Sequence, residues 1–429
     1  MNIKRLKNIK KEEYDRIIMR SSGTNEEILP SIKATMDNVQ IKGDEVLLNK
    51  YQGRYGKNVY QSISVTKEEI DKAYETINPS TIKALKQMIK NITLVQKSQL
   101  PKKIEKKVLP ENGIEVWREW RAIEKVGLYI PGGKATYPSS VLMTAIPAII
   151  AGCKEIVLCS PVKEDGKIPA ATLVAADMVG IKNIYKVGGV EAIAAMTYGT
   201  ETIPQVYKIF GAGNSFVTAA KTIAQKTISI DMPAGPSEVF IIADEMANPA
   251  FIAADLLADG EHGEDSACVL VTTSERIAKK TNDEIEKQLG NLTTRARAQK
   301  ALDRYGLICL VDTMTEAIEF TNNYAPEHLE IMTKNADSLV RNIVNAGSVF
   351  VGRWTSKSCG DYATGANHVL PTGGMAKMYP PLGVDSFGKW MQVQKCTKNG
   401  LLQIKQTIET IAEVEELPAH KQSTSIRFK

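Results

Sequence analysis

Apolar residues recur three and four positions apart through much of the first 125 residues, as in KEEIDKAYETI from Lys67 and STIKALKQMIKNITLVQKSQL from Ser80. That spacing gathers them on one face of a helix and puts Ser80 where an N-cap belongs. After Glu124 the rhythm changes. Short β-branched runs, VGLYI at 126, EIVLC at 155, NIYKV at 183, VYKIF at 206 and TISID at 227, alternate with helical stretches. Such alternation describes a parallel sheet with helices on its faces. A second series follows, with EVFIIAD at 238, a helix from about Pro249, ACVLVT at 267 and GLICLV at 306. The chain therefore reads as α/β, with residues 125–237 as one α/β unit inserted between parts of another. Beyond PPLGVDSFGKW lies a tail with one helix from about Gly400 to Glu416.

Composition narrows the class. At 429 residues the chain exceeds one ordinary core, so two packed domains or one large extended domain are expected. Apolar residues at 43% and charged residues at 24% place it among soluble globular proteins. The net charge of +5 comes largely from dispersed lysines near the N-terminus, with no dense basic, aromatic-interleaved face for nucleic acid. Six cysteines without C-x-x-C spacing suit a reducing, cytoplasmic setting. Val141 to Cys153 is the longest nearly apolar stretch, too short to span a bilayer, and the N-terminal segment lacks the apolar core of a targeting peptide.

Chemistry concentrates late in the chain. The four histidines are His262, His328, His368 and His420, none of them in the first 261 residues. His262 and His328 each follow a glutamate, in DGEHGED and APEHLE. A Glu beside a His offers two proton acceptors of different basicity, which acid/base chemistry at neutral pH can use. His368 lies in the polar loop GDYATGANHVLPTGG, seven residues after Asp361. Nitrogen and carboxylate donors of this kind suit zinc, although their spread along the chain gives no sharp spacing signal. G-x-G-x-x-G is absent; PGGKATYPSS and GAGNSF stand instead at strand-to-helix turns, where a nucleotide phosphate or a plain tight turn would fit equally.

Seven segments in order, VGLYIPGGKATYPSSVLMTAIPA, DMPAGPSEVFIIAD, EHGEDS, YAPEHLEI, GDYATGANHVLPTGG, PLGVDSF and EELPAH, resemble the histidinol dehydrogenase family across most of the chain. The resemblance implies a homodimer of two incomplete Rossmann-like domains with parallel-sheet cores and small helical N- and C-terminal extensions. It divides the chain into an extension at 1–25, a first domain at 26–124 and 238–380, a second at 125–237, and a tail at 381–429 that completes the partner's site. It implies zinc-dependent, NAD-dependent four-electron oxidation of L-histidinol to L-histidine via L-histidinal, the last steps of histidine biosynthesis. Glu327 and His328 match the acid/base pair, with Glu327 activating water and His328 accepting the alcohol proton. Asp259, His262, Asp361 and His420 match metal positions. Ser237, His328, His368 and Glu415 match substrate contacts, and Tyr129, Glu191 and Asn214 match cofactor contacts.

Three positions depart from the family pattern. Asp259 stands where a zinc-binding Gln is usual, Glu191 replaces a Gln, and Ser356-Lys357 replaces Pro-Glu before GDY. Asp is itself a competent zinc ligand, so the resemblance still implies a metal. The departures leave room for a paralogue acting on another small alcohol, such as a sulfonated diol, or for a non-catalytic binding homologue.

Overall fold

The computed structural model describes residues 1–20, 26–57, 59–132 and 135–429. Gly133 and Lys134 of the PGGKATYPSS segment lie outside the described residues. Thirteen strands are described: β1 (Asn2–Arg5), β2 (Ile114–Ala122), β3 (Lys125–Tyr129), β4 (Glu155–Cys159), β5 (Asn183–Tyr185), β6 (Lys208–Phe210), β7 (Ser229–Ile230), β8 (Glu238–Ala243), β9 (Ala267–Thr272), β10 (Gly306–Leu310), β11 (His328–Met332), β12 (Ser348–Val351) and β13 (Gly388–Cys396). They form two parallel sheets and one antiparallel ribbon. The larger sheet runs β1-β10-β9-β8-β11-β12, the smaller β5-β4-β3-β6-β7, and β2 pairs with β13.

Every residue of β8, β9 and β11 is buried, as parallel strands covered on both faces require. In both sheets the strand order reverses beside the first central strand, between β3 and β6 in one and between β8 and β11 in the other. Such a reversal opens a crevice at the carboxyl ends of the strands, because consecutive crossovers depart to opposite sides.

The helical reading of the N-terminal region holds for the long segments and fails at three places. Asn78, not Ser80, caps the helix Pro79–Ser98; its side chain accepts from the Ser80 N–H, and Pro79 supplies the preset φ of the first helical position. The other two are strands. β1 is a four-residue edge strand on β10, and β2 sets Ile114, Val116 and Trp120 on one face with Glu115, Glu119 and Arg121 on the other, a period of two that Trp117 and Arg118 interrupt and a helical template overlooks. The division that grouped residues 26–124 with 238–380 does not describe the packing. Ile32, Met36, Leu85 and Ile92 of that stretch share a core with β3, β4 and β6, so these helices cover the smaller sheet. Among the described residues no helix is long and apolar enough to cross a membrane.

Candidate active site

β8 and β11 lie side by side with His328 opposite Val239, so their amino ends emerge together. Glu327 immediately precedes β11. Its Oε2 accepts a 2.8 Å hydrogen bond from the Glu238 N–H, which fixes the carboxylate against the sheet edge. His328 Nδ1 lies 3.0 Å from the Glu238 carbonyl and 3.4 Å from Glu327 Oε2. A carbonyl only accepts, so Nδ1 carries a proton, and Nε2 is left as the reactive nitrogen. Nε2 is buried without a hydrogen-bond partner and stands 3.7 Å from Asp361 Oδ1.

Burial alone would lower the basicity of His328, but the Glu327 carboxylate, and Asp361 with it, hold its pKa up at about 10. Burial pushes the Glu327 carboxyl up, reinforced by Asp259 and Glu238 and opposed by His328. Asp361 moves the other way. Burial would raise it, yet His328 and Lys357 bring it well below the ordinary carboxylate range. A carboxyl pushed up beside a histidine that is also pushed up is a pair among which one proton is readily shared, the arrangement general acid/base catalysis uses.

Asp259 and His262 reach the same edge from the end of the helix Pro249–Gly260, which runs back along the sheet after β8. His262 Nδ1 donates to the Ala258 carbonyl at 3.1 Å, which leaves its Nε2 as the coordinating or accepting atom. Asp361 and Lys357 lie one turn apart on the helix Lys357–Tyr362. The Lys357 ammonium sits between the two acids, 3.0 Å from Asp259 Oδ1 and 2.9 Å from Asp361 Oδ2. His368 donates from Nδ1 to the Asp361 carbonyl at 3.1 Å, and its Nε2 is 3.3 Å from Ser140 Oγ. Burial drives the His368 pKa down to about 4, so the ring is neutral. Ser140 belongs to the helix Pro138–Ala151, which begins past the carboxyl end of β3. The constellation therefore lies where the amino edge of the larger sheet faces the carboxyl edge of the smaller one. Ser237, next to β8, is partly exposed there, its carbonyl tied to the Ala267 N–H.

The expected cofactor residues gather at the β3/β6 reversal. The Tyr129 hydroxyl accepts from the Gly189 N–H at 3.2 Å, and burial raises its pKa to about 12. Asn214 caps the helix Ser215–Ala224 through the Val217 N–H. Gly211, with φ of +117°, brings its backbone so near β3 that a Cβ would stand 2.1 Å from the Tyr129 carbonyl oxygen. Its N–H and carbonyl are clamped by Asp231 and by the buried Lys221, which also pair with each other. Two helix N-termini thus open onto one crevice, a fit for phosphate oxygens. Glu191 is buried in the first turn of the helix Gly189–Tyr198 and paired with Lys50, so its charge is offset.

Glu415 and His420 are not brought to this place. They are exposed, at the end of the helix Lys398–Val414 and on the helix Pro418–Ser425, which contact each other, the first of them also meeting the ribbon. Sequence reading also overlooked Glu238 and Arg20. The Glu238 carboxylate takes a bidentate pair from Arg20 at 2.8 and 2.6 Å and a 2.6 Å bond from the Gly373 N–H, while its backbone holds both Glu327 and His328. Inside the apolar run EVFIIAD a charged first residue was the only available signal, and its partner lies 218 positions away.

Two parallel α/β layers meet over a buried Glu–His pair, an arrangement suited to an α/β enzyme. A family-wide sequence profile described as histidinol dehydrogenase matches residues 18–428. The chain is 44% identical to histidinol dehydrogenase of Bacteroides thetaiotaomicron over 427 residues, covering 99% of each protein. It is 44% identical to that of Methanocaldococcus jannaschii, covering 100% of this chain and 99% of the relative. The crystal structure of histidinol dehydrogenase from Elizabethkingia anophelis superposes with a TM-score of 0.94 at 43% identity, covering 100% of this chain and 98% of the other. The chain belongs to the histidinol dehydrogenase family, oxidoreductases that act on a CH–OH group in histidine biosynthesis.

Proposed function

We propose that the chain oxidises L-histidinol to L-histidine through L-histidinal, with two hydrides removed in succession to NAD. The observation that carries this reading is the Glu327–His328 pair, fixed by Glu238 and facing Asp361. Loss of hydride from a carbinol carbon requires loss of the hydroxyl proton, and with the proton shared by the pair resting on Glu327, His328 Nε2 is the atom placed to take it. Glu327, with its carboxyl pushed up by burial, is the group to draw a proton from the water that adds to the aldehyde. Neutral His368 and Ser237 would hold the substrate's polar atoms. The crevice of Tyr129, Glu191 and Asn214 would hold NAD, which when bound supplies the hydride acceptor.

Zinc dependence, implied by the resemblance through Asp259, His262, Asp361 and His420, does not fit the residues as arranged. The Lys357 ammonium already occupies the space between Asp259 and Asp361. Among the described residues no three His, Cys, Asp or Glu side chains are grouped to hold a metal ion. No step is therefore routed through one.

Glu415 and His420 would reach the site from a second copy. Exposed Leu402, Ile411 and Val414 on the tail helix support such a dimer, since apolar residues set along one helix favour a covering partner. Unpaired cysteines throughout support a reducing, cytoplasmic setting. A second reading, oxidation of another small alcohol such as a sulfonated diol, is favoured only by the added cation at Lys357; a panel of alcohols tested for NADH formation separates the two.

The test is Glu327→Gln. The first oxidation should continue while the second slows by about 10²–10⁴-fold, so that histidinal accumulates. Equal loss of both stages would contradict the assigned role.

A further inference from the structure

Lys357 is one of the most deeply buried charged side chains in the protein, with 2% of the side chain exposed, and Asp259 beside it is wholly buried. A lysine is buried in this way only when its charge is matched, and here two carboxylates match it at 3.0 and 2.9 Å. Both acids stand at positions where the family resemblance implies metal ligands. Two of the three departures from the family pattern therefore fall on one contact: Asp for Gln at 259 and Lys for Glu at 357.

We propose that the Lys357 ammonium serves as the resident cation of this site, taking the place of a divalent metal between Asp259 and Asp361. This rests on the reading of the site given above. A divalent ion would need the same carboxylate lone pairs at about 2.0–2.2 Å, and would then stand within about 3 Å of Nζ, where like charges repel with little solvent to screen them. Nor is there an exit for the ammonium, because its stem is enclosed and withdrawal from Asp259 would strand a buried carboxylate. The exchange of roles is chemically coherent. An ammonium neutralises and orients Asp361, which in turn faces His328 Nε2. Asp361 is thereby positioned without a Lewis acid, and toward Asp259 the ammonium acts through its charge at 3.0 Å, both Asp259 carboxylate oxygens being buried without a hydrogen-bond partner.

The experiment measures zinc in the purified full-length protein by mass spectrometry, after exposure to a chelator, together with zinc-induced shifts in thermal unfolding. The wild type should hold less than about one-tenth of a zinc per subunit and show no zinc-dependent rise in Tm. The double variant Asp259→Gln, Lys357→Glu should gain about one zinc per subunit with a rise of several degrees. Lys357→Met alone serves if the double variant does not fold. About one tightly held zinc in the wild type, or failure of a folded variant to gain any, overturns the proposal. These readouts need no turnover. Failure of L-histidinol as substrate would sink the functional reading and leave the metal question answered separately.

Discussion

At the residue scale, the same buried edge that raises Glu327 and His328 holds a second acid pair the chemistry does not use. Glu330, two residues into β11, faces Asp255 on the helix Pro249–Gly260, and burial followed by the charge of Asp255 pushes the Glu330 carboxyl well above its ordinary range. Asp255 is pushed up too, by burial. A raised folded-state pKa means that the folded protein binds the proton more tightly than the unfolded chain. The stability it confers is complete below the unfolded value, about 4.3, and is lost as pH rises from there toward the folded value. Glu330→Gln, which carries the same shape without the charge, should therefore be more stable than wild type at pH 8 and nearly equal to it at pH 4. Denaturant midpoints at the two values measure this. Parallel pH profiles for the two proteins would rule it out.

Residues of the candidate site were legible in the sequence to different depths. The Glu327-His328 and Asp361/His368 segments stood out because charged and histidine residues interrupt glycine- and proline-bearing stretches. Lys357 was visible as a reversed charge, but only packing shows that it meets Asp259, 98 positions away along the chain. Glu238 and Arg20 were not legible. A carboxylate at the head of an apolar strand has no sequence mark that distinguishes a positioning group from an edge charge.

At the scale of elements, the crossing of two sheet edges makes the site. β8 and β11 deliver Glu238, Glu327 and His328 from their amino ends, while β3 and β6 deliver Tyr129, Gly211 and Asn214 from their carboxyl ends. The short runs at 126, 155, 238 and 267 revealed these strands because burial on both faces makes them uniformly apolar. β11, β12 and β13 left weaker marks, β11 through its His and Glu and β13 through its exposed polar positions. Gly211 is where the crevice can be tested. Gly211→Ala would force a Cβ against the Tyr129 carbonyl and a φ that alanine resists. It should weaken NAD binding at least about tenfold and cost about 1–3 kcal/mol of stability. Titration of NADH fluorescence checks the first effect. Unchanged affinity would place the cofactor elsewhere.

At the scale of the whole molecule, one chain carries Glu327 and His328 together but keeps Glu415 and His420 away from them on an exposed tail. Sequence alone could locate these residues in the tail without showing that the tail turns away from its own site, since that depends on the β2–β13 ribbon. If a second copy supplies them, Glu327→Gln subunits, which stall before L-histidine, mixed with Glu415→Gln subunits, which lack the implied substrate contact, should recover about one quarter of wild-type L-histidine formation, because half of randomly formed dimers hold one intact site. Co-refolding of the two variants measures it. Absence of recovery, with mixed dimers confirmed by mass spectrometry, would mean that each chain completes its own site.

Counting NADH formed per L-histidinol consumed, with the product identified, tests most directly whether this buried pair carries out the proposed four-electron oxidation. About two NADH per substrate and L-histidine as the end product are expected, since each two-electron oxidation releases one hydride. One NADH with L-histidinal as the final product, or no turnover of L-histidinol by folded protein, would contradict it.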